Sequence, residues 1–454
     1  MSPTTPTTFS DALSRGPLKS FSIATFCVCM LVLICDGMDA QLLGIVAPIV
    51  IEEFATDRGT FGIAMSAALV GFGLGSWAGG WLGDRVGRRY SLALATVVFS
   101  LATIGASWAG GVWEMAAWRL LSGLGFGSAY ANAITLAGEW LPDRWRSVGV
   151  TTVSVGTPAG GLVVAALAPT LVEAMGWRGG FVVIGGATLL VVLLILVVLR
   201  DSPSFLLARG RAKEARRAAR KVLDEDMDLV PERHASDRGG ASVGVFDRSN
   251  FRVNLGVGIS FAASALVAYA ILNWATTFLT AKGFSFESAS YAVSVAGLTS
   301  IAASIAVGLL IQRLGSRAVI VGISLSLLVT LIALAAVLET IAGPPGEGEA
   351  LVTVVLIGIA AALFSAGIAS MYALMTHAYP SSCRSAGIGF GIFVGRVGAV
   401  AASGLGGALI DLGEGSLLPF FGVLCGGSVL ILAAALVVDR HVEPARGRVG
   451  AAAA

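Results

Sequence analysis

Charge is what this sequence lacks. Asp, Glu, Lys and Arg make up 13% of its 454 residues, against roughly 25% in soluble globular domains. With 56% hydrophobic residues and a mean hydropathy of +0.84, the chain is predicted to lie in a bilayer. Histidine is also scarce. His234, His377 and His441 are scattered over a loop, a helix end and a tail, which argues against a membrane enzyme or receptor. The five cysteines, Cys27, Cys29, Cys35, Cys383 and Cys425, suggest no disulfide framework, since all but Cys383 fall in apolar runs. Cys27 and Cys29 have no further ligand nearby, so no metal is expected. The stretches "GFGLG" and "GLGFG" lie inside apolar runs with no strand before them, so they are not nucleotide fingerprints. No cofactor and no nucleic-acid partner are expected. The first 20 residues are polar, so residues 1–20 are read as a tail rather than a cleavable leader.

Long apolar runs are abundant. About 20 residues of helix cross ~30 Å of hydrocarbon, and such runs recur at 21–50, 61–82, 90–109, 112–138, 148–171, 179–199, 253–280, 287–311, 318–338, 350–376, 386–410 and 416–438. These predict an all-α polytopic membrane protein with twelve transmembrane helices. Basic residues orient it. With both termini cytoplasmic, the inner loops and tails hold 25 of the 30 Lys and Arg residues. The outer loops hold Arg58, Arg178 and Lys282, and the membrane holds Arg119 and Arg396. The long polar segment 200–252 is a cytoplasmic connection between a first bundle, 21–199, and a second, 253–438, and 439–454 is a cytoplasmic tail. Within the connection, Ser202-Pro203 suits a helix start.

The two halves match each other. "GWLGDRVGRR" (80–89) lines up without gaps against "GLLIQRLGSR" (308–317), and "EWLPDRWR" (139–146) against "HAYPSSCR" (377–384). Matches at two equivalent junctions indicate duplication, and transporters built of repeats place substrate between the repeats near mid-membrane.

The charges inside the apolar runs are the candidates for chemistry. Asp36 and Asp39, in "LICDGMDAQLLGIVAP", share one helix face. Each costs about 2.5–3.5 kcal/mol at mid-membrane, so they are expected to face the interior and serve a proton route. Counted at 1.5 Å per residue, Asp39 and Arg119 lie at similar depth, about 10–12 Å below the outer ends of their spans. A pair between them would compensate two buried charges, and protonation would release the arginine. Glu139 and His377 are further proton candidates, His377 for its ordinary titration near neutrality. Arg396, flanked by Gly395 and Gly398, suits a bidentate grip on a substrate carboxylate. Gln41, Asn132, Tyr269, Asn273, Trp274, Tyr372 and Thr376 are placed around the same depth and would fit a planar ring bearing hydroxyls. The glycine stripes of spans 2, 4 and 11 are expected to let helices approach closely.

"GWLGDRVGRR" and "RLLSGLGFG" (119–127) resemble the signatures of the major facilitator superfamily, across the whole chain. "EWLPDRWR" and "RDSPSFLLARGR" are similar to the motifs that end spans 4 and 6 in its sugar- and organic-acid-carrying branches. "DGMD" (36–39), "LNWATTFL" (272–279) and "GRVG" (395–398) look most like the aromatic acid:proton symporters. The resemblance implies two six-helix bundles, a monomer in the cell's inner or plasma membrane, and uptake of an aromatic carboxylate such as a hydroxybenzoate with protons by alternating access. An exporter of hydrophobic compounds or an importer of a nonaromatic carboxylate are the alternatives. It also implies a conformational latch of Asp84, Arg85, Arg88, Arg89 and Arg146, with Arg313 and Arg384 at the matching positions of the second half. Three positions depart from the pattern: Gln312 stands where the first half has Asp84, Thr276 stands where a proline is expected, and His377 stands where the first half has Glu139.

Overall fold

A computed structural model describes residues 7–14, 16–223, 229–230, 244–341, 343–379 and 383–444. Ten helical stretches are long and apolar enough to cross a membrane. The stretch Asp143–Val198 supplies two spans, because its helix breaks at Gly176 (φ 67°, ψ 174°). Trp177 then reaches Glu53 at one end of the bundle, and the carbonyl of Arg200 reaches Trp140 at the other. Val112–Glu139 packs beside them as the twelfth.

Spans 1 to 4 are Ser20–Glu53, Arg58–Val86, Arg88–Ala106 and Val112–Glu139. Spans 5 and 6 come from Gly156–Val198, divided at Gly176 and preceded by the helix Asp143–Ser154, which begins five residues before the predicted start at 148. Spans 7 to 12 are Phe251–Ala281, Phe286–Leu314, Ser316–Thr340, Glu347–Ala378, Arg384–Leu412 and Leu418–Val437. Their ends follow local chemistry. Asp57 and Ser285 cap spans 2 and 8 by accepting from the amides of Thr60 and Ser288, the usual role of short polar side chains at such ends. Spans 2 and 8 stop at Gly87 (φ 105°) and Gly315 (φ 82°), a left-handed backbone that side chains with a Cβ resist.

Alternation of the spans puts the described parts of the connection between spans 6 and 7 and both described chain ends at one end of the bundle, the terminal end. The short connections after spans 1, 3, 7, 9 and 11 lie at the far end. In the first half span 2 packs on span 4 and span 1 on span 5; in the second, span 8 packs on span 10 and span 7 on span 11. The duplication read in the loops is therefore a duplication of packing. The predicted glycine stripe acts where spans 2 and 4 cross: a Cβ on Gly71 would run into the Leu120 carbonyl, and one on Gly127 into that of Phe72.

The halves meet through span 2 with span 11, span 5 with span 8, and span 1 with span 7. Their contacts lie at mid-depth and beyond, toward the far end. Gln41 Nε2 donates to the Leu272 carbonyl at 2.5 Å and Thr276 Oγ1 to that of Gly44 at 2.6 Å. Arg58 Nη1 meets Asp411 Oδ1 at 2.8 Å, while Asp411 Oδ2 accepts from the amides of Arg58 and Gly59. This carboxylate of span 11 thus sits on the first turn of span 2, where the helix dipole favours negative charge. These contacts join the halves toward the far end. Toward the terminal end Tyr372, Thr376 and His377 of span 10 are exposed.

The predicted tail is partly built into the first half. Phe9 and Leu13 of the helix Phe9–Ser14 are buried, and Phe9 and Phe21 set their rings edge-on to Trp140 at 5.7 and 4.7 Å. Thr7–Thr8 pairs in parallel with Leu229–Val230. In the connection, Ser202 caps Pro203–Ala208 by accepting from the Phe205 amide.

Candidate functional site

Two polar groups lie at mid-depth, one in each half, the first buried and the second half-buried. In the first half, Asp39 Oδ2 accepts from Arg119 Nη1 at 2.7 Å and Oδ1 from Thr103 Oγ1 at 3.0 Å. The two charged side chains are 5% and 3% exposed, so each compensates a charge that would otherwise be bare in the bilayer. One turn earlier, Asp36 is also buried and accepts from Thr157 Oγ1 of span 5 at 3.0 Å. Gly37 makes this possible: a Cβ there would strike the Thr157 backbone.

In the second half, Arg396 reaches inward from span 11. Its Nη1 donates to the Tyr269 hydroxyl at 3.0 Å, and its guanidinium carbon lies 3.8 Å from the ring centre of Phe72. Phe72 belongs to span 2, so the arginine of one half rests on an aromatic face of the other. Tyr130, Tyr269 and Tyr372 are within its electrostatic range. Phe72 is held from behind by Phe126 at 4.6 Å and Tyr130 at 5.6 Å, and Tyr372 stands edge-on to Phe261 at 5.3 Å. Among the described residues Arg396 makes one hydrogen bond and no ion pair. A stacked guanidinium keeps its in-plane N–H groups free for a planar acceptor. The arrangement can therefore take a carboxylate with an aromatic ring attached. Gly395 and Gly398 give span 11 its close fit, since a Cβ on either would strike Phe261 or the Ala262 backbone.

The other candidates are placed elsewhere. Gln41 joins the halves, while Asn273 and Trp274 tie span 7 to span 11 within the second half. Asn273 Nδ2 donates to Ser403 Oγ at 2.7 Å, and Trp274, fully buried, donates to the Ser403 carbonyl at 3.2 Å. Asn132 lies thirteen residues along span 4 from Arg119, about 20 Å of helix. It ties spans 2, 3 and 4 by donating to the Gly79 carbonyl and Ser91 Oγ at 3.0 Å. Its distance along the helix from Arg119 carries it toward the terminal end. Thr376 lies one turn below Tyr372 and donates to its own helix at Ala373. His377 is exposed beside it.

Of the latch residues, Asp84 and Arg88 form an ion pair, and Arg88 Nε lies 4.0 Å from Glu139 Oε1. These bring together the ends of spans 2, 3 and 4. Arg85 stacks on Trp81 at 4.1 Å. The Arg89 amide donates to Asp201 at 2.9 Å. Arg146 pairs with Asp143 at 3.0 Å and donates to the Gly138 carbonyl. Arg313 is exposed at the end of span 8, and the side chain of Arg384 lies outside the described residues. Among the described residues no three His, Cys, Asp or Glu side chains gather as a metal would require.

Phe72, Thr103, Tyr130 and Thr157 were not singled out by sequence reasoning. A polar residue in an apolar run was the available signal for the threonines. For Phe72, lying between two glycines, nothing in the local sequence says that Arg396 would rest on it.

The pattern of the Major Facilitator Superfamily matches residues 29–366. The chain belongs to this superfamily. It is a multi-pass membrane transporter rather than an enzyme. The 4-hydroxybenzoate transporter PcaK of Acinetobacter baylyi is 26% identical over 406 residues, covering 88% of this chain and 87% of that protein. The gallate transporter of Pseudomonas putida is 28% identical over 446 residues, covering 96% of each. The inward-open xylose transporter XylE of E. coli superposes with a TM-score of 0.70 at 19% identity over 91% of this chain and 95% of that one, a likeness of fold.

Proposed function

We propose that the protein imports an aromatic carboxylate, such as a hydroxybenzoate, together with protons, by alternating access. It acts as a monomer in the cell's inner or plasma membrane, with both termini and the terminal end cytoplasmic. The observation that carries this reading is Arg396: a guanidinium at mid-depth between the halves, with its face on Phe72, a phenol hydroxyl on one nitrogen and, among the described residues, no carboxylate in contact. Relatives named for 4-hydroxybenzoate and gallate support the substrate class. The count of Lys and Arg in the sequence of the tails and inner loops, 25 of 30, supports the orientation, following the inside-positive bias.

In this reading the described state faces the cytoplasm, with the far end closed by the Gln41, Thr276 and Arg58–Asp411 contacts. Substrate leaves toward Tyr372 and Thr376. The Asp84–Arg88–Glu139 cluster rearranges as the halves rock. The carboxylates of span 1 link the cycle to protons, because a monoanion entering with one proton uses the pH gradient alone and a second proton adds the voltage term, about 2.3 kcal/mol per 100 mV. The test is uptake of a labelled carboxylate panel into proteoliposomes with an alkaline interior, with and without a protonophore. Protonophore-sensitive accumulation of an aromatic acid supports the reading. No accumulation of any acid, where a control symporter works, refutes it.

A further inference from the structure

Asp36 and Asp39 are three residues apart and equally buried, yet they are not equivalent. Both oxygens of Asp39 have donors, and its charge is neutralised by Arg119. Asp36 is 2% exposed and receives one neutral donor, Thr157 Oγ1, on Oδ2. Its Oδ1 is buried with no hydrogen-bond partner. The titratable groups that act on it among the described residues are Asp39 and Cys35 on its own helix, Arg119 and Tyr130 on span 4, and Arg396 across the cleft. Arg119 is already engaged by Asp39, and Arg396 acts on Asp36 without touching it. A carboxylate buried in this way with a single hydroxyl donor is costly as an anion. As a neutral carboxyl it needs no counter-charge.

We propose that Asp36 is the side chain that carries the transported proton, that Asp39 is the standing partner of Arg119, and that Arg396 ties the proton to the substrate. This rests on the reading of the protein as a proton-coupled carrier of an aromatic acid. While a substrate carboxylate covers Arg396, the guanidinium charge is cancelled and the O–H bond of Asp36 stays intact. When the substrate leaves, the bare guanidinium again faces Asp36 across the cleft. The O–H bond breaks, and the proton passes to cleft water, leaving a carboxylate opposite a cation. Proton release thus follows substrate release without either ligand touching the other.

Two measurements on the full-length protein test this. The first is a substrate-free infrared pH titration of the buried carboxyl C=O stretch in wild type, Asp36→Asn and Asp39→Asn. A titrating band that Asp36→Asn removes and Asp39→Asn keeps is the expected result; a band that survives Asp36→Asn overturns the proposal. Thr157→Val and Thr103→Val carry the same test with milder changes, should Asp39→Asn fail to fold. The pH of titration moves with Thr157→Val and holds with Thr103→Val, and the reverse overturns the proposal. The second is transport of 4-hydroxybenzoate in proteoliposomes, where Asp36→Asn lowers the ratio of pH-driven accumulation to counterflow at least tenfold. An unchanged ratio overturns the proposal. Wild-type protein that carries no aromatic acid overturns the functional reading instead, and the infrared titration then decides Asp36 by itself.

Discussion

The turn that joins span 2 to span 3 and the turn that joins span 8 to span 9 have the same shape and are closed by different chemistry. Each breaks at a glycine with positive φ, Gly87 or Gly315, whose amide still bonds back to the preceding helix. In the first half a carboxylate completes the turn, Asp201 accepting from the Arg89 amide. In the second half the Val442 carbonyl accepts from the Ser316 amide, and the imidazole of His441 bridges Ser316 Oγ and the Ala435 carbonyl. The difference extends inward. The interior of the first half holds two aspartates and Arg119, whereas the second half brings Arg396 and phenol hydroxyls. Duplication supplied one scaffold twice, and the chemistry then diverged position by position, with acids gathered in one copy and the anion grip in the other.

Removing the grip is expected to have the largest effect. Arg396→Ala should cut uptake of an aromatic acid by at least about thirtyfold, in line with the 2–5 kcal/mol typical of truncating one member of a desolvated charged contact. Arg396→Lys should recover little, since an ammonium cannot offer a planar fork. Initial rates in proteoliposomes read both. Next comes the internal pair of the first half. Asp39→Asn strands Arg119 in the bilayer, and loss of about 3–5 kcal/mol of unfolding free energy is expected in detergent. Asp39→Asn combined with Arg119→Gln should regain most of it.

The two turns can then be set against each other. Gly87→Ala and Gly315→Ala each force a Cβ into left-handed backbone, about 1–2 kcal/mol. The loss should be greater at Gly87, where the Cβ would lie 2.7 Å from the Asp201 carboxylate, against 3.0 Å from the Val442 carbonyl at Gly315. Their pH dependence should run in opposite senses. Burial pushes the Asp201 carboxyl above the ordinary carboxylate range, against the hydrogen bond from Arg89. Its contribution is full at low pH and is lost as pH rises through the folded-state titration. Burial pushes the His441 imidazole down, so its contribution is full above the ordinary imidazole range and is lost as pH falls through the folded-state titration. Hydrogen exchange at residues 84–92 and 312–320 on acidification should show protection rising in the first turn and falling in the second, and Asp201→Asn and His441→Gln should flatten the respective profiles. Gln312→Asp should do least, within about 0.5 kcal/mol. The second half lacks the partner as well as the acid, because Ser316 stands where Arg88 stands in the first.

Fold was legible in this sequence because the bilayer imposes a one-dimensional code: length of apolar run, sign of loop charge, repeated loop motifs. Spans 5 and 6 show the limit, since a single glycine at 176 rather than a polar loop divides a continuous apolar helix. The inward placement of Asp36, Asp39, Arg119 and Arg396 was legible because a charge in hydrocarbon is marked by its cost alone. Depth counted along each helix brought Asp39 to Arg119. It fails for Asn132, which stands thirteen residues past Arg119 on the same helix. Depth by itself does not say that Gln41, Asn273 and Trp274 spend their donors on backbone carbonyls and a serine in the opposite half or along the neighbouring helix. Asp411 was missed because it stands near a loop, where acids are common, and its grip on the first turn of span 2 depends on how two helices abut.

The separation of charge between the halves has an electrical consequence. Arg119 travels with its own counter-ion, so membrane potential exerts no net force on that pair. Arg396 has no carboxylate in contact among the described residues, yet it is balanced in both strokes, by the bound monoanion when loaded and by ionised Asp36 across the cleft when empty. Membrane potential should therefore bear hardly at all on either stroke, and a voltage step applied without substrate should evoke little displacement current in the native protein and a clear one in Asp36→Asn, where Arg396 is left unbalanced.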